Sequence, residues 1–192
     1  MILSDWWIKK RLASWDLKIY SEENKDIISQ VWPASLDFRL WNIIKFYDKH
    51  QISAIDPRSW LSQENIWTFY VQDGDYFLIH PWQFVLWVTK ETISVPDDLV
   101  ARCEWRSSLW RLWLIIHSTA WFIDPWFKWT ITLEITNINE VPVKLYPGMR
   151  VGQFAFEQLD FPCEVPYNKR KGSKYMNQKD TQVSRVFDDS DF

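Results

Sequence analysis

From residue 75 onward the sequence breaks into short apolar runs, each closed by turn residues: DYFLIHP, QFVLWVTKE, LVARCE, WTITLEITN, VPVKLYP and RVGQFAFE. Each is the length of one β-strand and rich in β-branched and aromatic side chains. No helix of core-forming length lies between them, so crossover helices cannot join parallel strands and the strands must pair with one another. The sequence therefore predicts an all-β fold, a barrel or a sandwich. The one helical signal lies at residues 4–14, where Ser4 can act as N-cap. There Trp7, Ile8 and Leu12 form an apolar stripe opposite Lys9, Lys10 and Arg11. A chain of 192 residues fits a single domain, 1–192.

The turns between these runs are unusual. In IDPWFKWTITLE, residues 123–134, an Asp-Pro pair announces a tight turn, yet Trp126 stands where such turns favour glycine and Trp129 follows three residues later. The chain has 15 Trp and 4 Gly, whereas average usage gives about 13 Gly. Several Trp sit beside Pro, Asp, Ser or Lys, in ASWDL, HPWQ, DPWF and FKWT. A tryptophan at a position that requires positive φ is a steric outlier.

A net charge of -3 without a clustered basic patch argues against nucleic acid as a partner. No apolar stretch is long enough for a membrane span, and the N-terminal MILSDWWIKKRL has charges too early for a secretory signal. Cys103 and Cys163 lack the spacing of a zinc site or disulfide framework, so two thiols in a reducing cytoplasm are expected.

The groups suited to chemistry are densest between Arg106 and Glu134. RSSLWR, residues 106–111, places two guanidinium groups and two hydroxyls within six residues. In a helical turn Ser107 and Arg111 share a face. Such donors match phosphate oxygens, although a solvated basic turn has the same composition. In WTITLEITN alternation sends Ile131, Leu133 and Ile135 to the core, and Thr130, Thr132, Glu134 and Thr136 to the other face. Glu134 becomes a candidate general base if that face lines a cleft. Asp124, before Pro125, reads as a turn residue or a second functional carboxylate. His117 in LIIHSTA reads as a core histidine. The polar segment from about Pro166, residues 166–192, has the composition of a disordered tail, yet it carries Tyr167, Lys174, Tyr175 and Gln178, all suited to gripping a ligand.

The order of these pieces resembles the dCTP deaminase family of the trimeric dUTPase-like superfamily. The resemblance rests on the opening MILSD, PASLDFRL (33–40), RSSLWRLWLIIHSTAWFIDPWFKWTITLE, LYPGMRVGQ (145–153) and GSKYMNQ (172–178), and covers nearly the whole chain. It implies a distorted β-barrel or jelly-roll of the β-clip type with a short N-terminal helix, and a homotrimer whose sites lie between subunits. It also implies hydrolytic deamination of dCTP to dUTP and ammonia in deoxypyrimidine synthesis. Glu134 would be the general base and acid, with Ser107 and Arg111 placing the water. Ser108, Leu109, Asp124, Thr132, Leu133 and Gln153 would complete the nucleotide site. Arg106, Tyr167, Lys174 and Gln178 would hold the triphosphate with Mg²⁺, the tail acting as a lid. The zinc route to base deamination needs His-x-Glu and Cys-x-x-Cys, and the sequence has neither; no protein side chain is expected to bind a metal. dTTP is implied as a feedback inhibitor.

Some members of the family continue to dUMP and diphosphate, and these tend to carry Gly-Phe or Gly-Trp after Thr-Ala. Here the pair is Trp121-Phe122, which fits the bifunctional type if position 121 is glycine, with Asp124 orienting the second water. The family pattern has glycine at Trp105, Trp113, Trp121, Trp126 and Trp129, and Trp32, Trp41 and Trp82 look the same. Genetic codes differ in reading UGA as glycine or as tryptophan, and a glycine-UGA gene translated with the other code gives this pattern. A truly Trp-rich protein that stacks on sugars or bases is the rival. Taken literally, large side chains in packed turns would overpack them. A dUTP diphosphatase, an inactive nucleotide-binding relative and an aromatic-rich carbohydrate-binding sandwich remain as alternatives.

Overall fold

A computed structural model describes residues 1–21, 26–59, 63–116, 122–178 and 180–189. His117 and Trp121 lie outside the described residues. After helix α1 (Asp5–Ala13) come strands β1 (Lys18–Tyr20), β2 (Val31–Trp32), β3 (Ser35–Tyr47), β4 (Ile66–Tyr70), β5 (Phe77–Ile79), β6 (Phe84–Thr89), β7 (Thr92–Ser94) and β8 (Leu99–Trp105). A one-turn helix α2 (Ser107–Trp110) leads to β9 (Leu114–Ile116), β10 (Phe122–Ile123), β11 (Lys128–Trp129), β12 (Thr132–Asn137), β13 (Val143–Leu145) and β14 (Arg150–Gln158).

The main sheet has nine strands in the order β10-β8-β14-β3-β6-β12-β9, with β2 and β4 also on β3, and its pairings are antiparallel. It curls as a half-barrel, as the all-β expectation requires. Strand β3 organises it. Leu36 to Arg39 pair with β14, whereas Leu40 to Lys45 pair with β6 across a register break between Leu40 and Ile44. The strand thus serves both halves of the curl, and a break is how a long strand bends. Inside, Leu36, Phe38, Leu40, Ile44, Trp87, Leu133, Ile135, Phe154 and Phe156 are fully buried. Gly152 faces Phe38, and a Cβ there would lie 2.3 Å from that ring, so no other residue fits.

Helix α1 closes one end. Ile8 is fully buried and Leu12 packs on the core, but Trp7 is exposed, so the helix buries a narrower stripe than its sequence suggests. Ser4 occupies the N-cap position without a side-chain cap bond. Arg11 anchors the helix: its guanidinium donates to both carboxylate oxygens of Asp98, at 2.9 and 2.5 Å. That hydrogen-bonded arginine holds the Asp98 carboxyl below its ordinary value of 3.8. A depressed carboxylate contributes stability above its unfolded-state value, and that contribution is lost as pH falls through its folded value. Arg11→Ala should therefore cost about 1–2 kcal/mol at pH 7, the pair being partly solvent-screened. Urea melts should show the cost shrinking as pH falls below the ordinary carboxylate range; a cost independent of pH would contradict the pairing.

The tryptophan puzzle has a backbone answer. Six described non-glycine residues have positive φ, and five are tryptophan: Trp15 (64°), Trp82 (60°), Trp113 (57°), Trp126 (64°) and Trp129 (130°); the sixth is Asn177. Gly74, Gly148 and Gly172 are the glycines with positive φ. Trp126 follows Pro125 in a turn closed by the Phe127 N–H on the Asp124 carbonyl, 3.1 Å, the place where φ must be positive. Overpacking, however, is not what the structure shows. Trp15, Trp82, Trp113 and Trp126 project into solvent, Trp15 and Trp82 at 75% exposure. The strain at these four lies in the main chain, not in crowding. Trp32, Trp41 and Trp105 lie in strands without positive φ, so the backbone gives no reason for glycine there.

Candidate active site

The alternation in β12 falls as its sequence predicts. Leu133 and Ile135 are fully buried, while Thr132, Glu134 and Thr136 face the other way and are half-buried. Glu134 pairs in register with Leu86, and Thr136 with Phe84, so these residues share one surface of the sheet. That surface is not open. It is the floor of a cavity of about 390 Å³, lined among others by Glu134, Thr132, Asp124, Tyr167 and Gln178. A volume in this range fits a nucleobase with its sugar. The cleft that turns a strand carboxylate into a candidate base is therefore present.

Asp124 enters from the end of β10 through the turn at Trp126, and Phe122, Ile123 and Phe127 form the adjoining apolar wall. The roof is the C-terminal segment. Tyr167 N–H donates to the Pro125 carbonyl, 3.0 Å, and Thr130 Oγ1 to the Gln178 carbonyl, 3.0 Å. Gln182 N–H donates to Thr132 Oγ1, 3.0 Å, and Thr181 Oγ1 to the Ile43 carbonyl, 3.2 Å. Thr181 is fully buried. The segment whose composition suggests disorder is thus pinned by the Thr132 hydroxyl on β12, by the Thr130 hydroxyl just before it, and by its own Thr181 hydroxyl on a carbonyl of β3.

Tyr47, Phe84, Leu86, Tyr175, Gln182 and Ser184 also line the cavity, and of these the sequence marks Tyr175 alone. Burial pushes the Tyr47 hydroxyl above its ordinary value, opposed by a hydrogen bond from the Ser184 backbone, with Tyr175 and Glu134 adding to the rise. Tyr47 therefore enters any reaction as a neutral hydroxyl. Its ring lies parallel to that of Phe84, centroids 6.4 Å apart. Aromatics on the polar face of paired strands, such as Tyr47 and Phe84, are the signal that could have found them.

The remaining predicted residues lie elsewhere. Arg106 is the N-cap of α2, and the Arg111 N–H closes the turn on the Ser107 carbonyl at 3.1 Å, so Ser107 and Arg111 stand four apart as predicted. Ser107, Ser108 and Arg111 are exposed and do not line the cavity. Gln153 belongs with this second group: it pairs with Glu104 on β8, and Arg106 N–H bonds the neighbouring Val151 carbonyl. Gln153 accepts a hydrogen bond from Ser35 Oγ, 2.8 Å. Leu109 and Leu133 point into the core, so only their backbones can touch a ligand. Lys174 is ion-paired with Asp189 and does not line the cavity. One chain thus carries the carboxylate cavity and the serine-arginine turn at separate places.

Among the described residues no three His, Cys, Asp or Glu side chains are grouped to hold a metal ion. Cys103 is fully buried, which pushes its thiol far above its ordinary value and leaves it no role as a nucleophile. No helix among the described residues is long and apolar enough to cross a membrane.

Residues 2–159, which include β12, the serine-arginine turn and Asp124, match the sequence model of the family described as dCTP deaminase-like. The chain belongs to that family. A relative named dCTP deaminase, dUMP-forming, from Dictyoglomus thermophilum is 46% identical over 186 residues, covering 97% of this chain and 95% of the relative. One of the same name from Halobacterium salinarum is 45% identical over 193 residues, covering 100% and 98%. A dCTP deaminase from Natronomonas pharaonis is 42% identical over the same length. The crystal structure of 2'-deoxycytidine 5'-triphosphate deaminase from Agrobacterium tumefaciens shares the fold, with a TM-score of 0.62 at 23% identity over 82% of this chain and 47% of that chain. The family's β-sheet scaffold is thus the one that here holds Glu134 in the floor of a roofed cavity.

Proposed function

We propose that this chain deaminates dCTP and carries the product on to dUMP and diphosphate. The observation that carries the reading is Glu134, set on the polar face of β12 in the floor of a cavity walled by aromatics and roofed by the C-terminal segment. Glu134 takes one proton from the water that adds to C4 of cytosine. It returns that proton to the exocyclic nitrogen, which leaves as ammonia, while the second water proton ends on N3 of uracil. Ser107 and Arg111 orient the water and stabilise the developing charge. Because they lie outside the cavity of their own chain, a second copy supplies them, and the homotrimer places them there. Arg106, Tyr167, Lys174 and Gln178 hold the triphosphate, which arrives with its Mg²⁺. Ser108, Leu109, Thr132, Leu133 and Gln153 add hydroxyl, amide and backbone contacts.

The second step is a water attack on the α-phosphorus that expels diphosphate, with Asp124 orienting that water. Its support is the place of Asp124 in the cavity wall beside Phe122, and the printed names of the Dictyoglomus and Halobacterium relatives. A dUTP diphosphatase without the first step leaves the serine-arginine turn without a task. A silent nucleotide binder leaves Glu134, Ser107 and Arg111 without one. The same cavity would take dTTP as a feedback ligand, and two unbridged cysteines suit a cytoplasmic enzyme.

Chromatography of a dCTP and Mg²⁺ incubation tests both steps. The expected outcome is dUMP, diphosphate and ammonia in equal amounts. Accumulating dUTP would remove the second step, and unchanged dCTP would remove the function.

A further inference from the structure

The C-terminal segment carries a second charge cluster next to the roof of the cavity. Lys174 Nζ lies 2.5 Å from Asp189 Oδ2. Arg185 reaches Asp188 Oδ2 with Nε at 2.8 Å and Nη2 at 2.6 Å. The two residues are tied to each other, since Arg185 Nη1 donates to the Lys174 backbone carbonyl at 2.5 Å. Both adjoin the cavity wall in sequence: Lys174 precedes Tyr175 and Arg185 follows Ser184, and both of those neighbours line it. Tyrosine hydroxyls tie the cluster down. Arg185 N–H donates to Tyr175 Oη, 3.0 Å, and Tyr175 N–H to Tyr167 Oη, 3.2 Å.

A guanidinium and an ammonium carried by residues tied together in this way can both donate to the oxygens of one polyphosphate chain. Here carboxylate oxygens occupy both. Phosphates and these carboxylates cannot share the same donors. We propose that Asp188 and Asp189 are built-in competitors for the triphosphate, and that Arg185 joins Lys174 as a triphosphate contact once they are displaced. The inference rests on the assignment of Lys174 to the triphosphate. A triphosphate presents a chain of phosphate oxygens that can engage both cations at once, so even with its Mg²⁺ it wins the exchange. Because the competitor is tethered at high local concentration, it still lowers the apparent affinity. The device suits a lid: the segment keeps its cations neutralised and its roof in place, and only a polyphosphate releases the acidic end. A nucleoside, or a monophosphate such as the product, has too short a phosphate chain to do so.

Calorimetric titration with inorganic tripolyphosphate tests this without any need for deamination. The double variant Asp188→Asn/Asp189→Asn should bind about tenfold more tightly than the parent chain, the size expected for removing a tethered competitor. Adding Lys174→Met should abolish the gain. In turnover, the double variant should lower KM for dCTP and leave kcat unchanged. Equal or weaker tripolyphosphate binding by the double variant overturns the competitor role, even if dCTP is deaminated. Absence of binding by both proteins overturns the cation site itself. The same titrations on a chain with glycine at the five positive-φ tryptophan positions guard against loss of fold. There, too, unchanged affinity counts against the proposal.

Discussion

Replacing Trp15, Trp82, Trp113, Trp126 and Trp129 together by glycine should raise the melting temperature by about 10 °C. A side chain in the left-handed region costs about 1–2 kcal/mol, because its Cβ crowds the following carbonyl. Glycine has no such cost but gives back about 0.5–1 kcal/mol through the entropy of the unfolded chain. The net gain over five positions is about 3–5 kcal/mol, a large share of the 5–15 kcal/mol that holds a domain together. Four of the side chains are largely exposed, so their removal opens no cavity in the core. The contrasting triple substitution at Trp32, Trp41 and Trp105 should bring no such gain, because none of these residues has positive φ. Differential scanning calorimetry of the two variants beside the parent separates backbone strain from mere tryptophan content. An unchanged or lower melting temperature for the fivefold variant would show that these positions tolerate tryptophan. Two of the five adjoin residues of the proposed site. Trp113 ends the turn that presents Ser107 and Arg111, and Trp126 sets the turn that delivers Asp124. Glycine at both should therefore sharpen the site as well as stabilise the fold.

Glu134→Gln should remove deamination by about 10²–10⁴-fold while leaving dCTP binding close to the parent value. The amide keeps the size and hydrogen-bonding reach of the carboxylate but cannot shuttle the proton between water and ammonia. KM should move little and kcat should carry the loss. Strand register should be unaffected, because the Glu134–Leu86 pairing is made by the backbone.

Much of this was legible in the sequence, for physical reasons. The period-two pattern of WTITLEITN fixed which face of β12 carries Glu134, since burial of Leu133 and Ile135 leaves no other register. The spacing of Ser107 and Arg111 needed only a single helical turn to be right. Strand β3 was harder: its thirteen residues belong to two halves of a bent sheet, and such a strand shows no single alternation. The docking of the tail could not be read locally. Its polar composition suits solvent, and its order comes from hydroxyls on Thr130 and Thr132, some fifty residues away in sequence. Nor could spacing reveal that the serine-arginine turn and the carboxylate cavity are separate in one chain, because sequence distance does not say which surface a turn faces.

The central claim is that Glu134 of one copy works with Ser107 and Arg111 of another on a cytosine ring. It is tested most directly by mixing two inactive variants, Glu134→Gln and Arg111→Ala, so that mixed oligomers form. In an equal mixture, about a quarter of shared sites receive both intact residues. Ammonia release from dCTP should return to about that fraction of the parent rate. A mixture as inactive as its two components, despite confirmed exchange of subunits, would contradict the account.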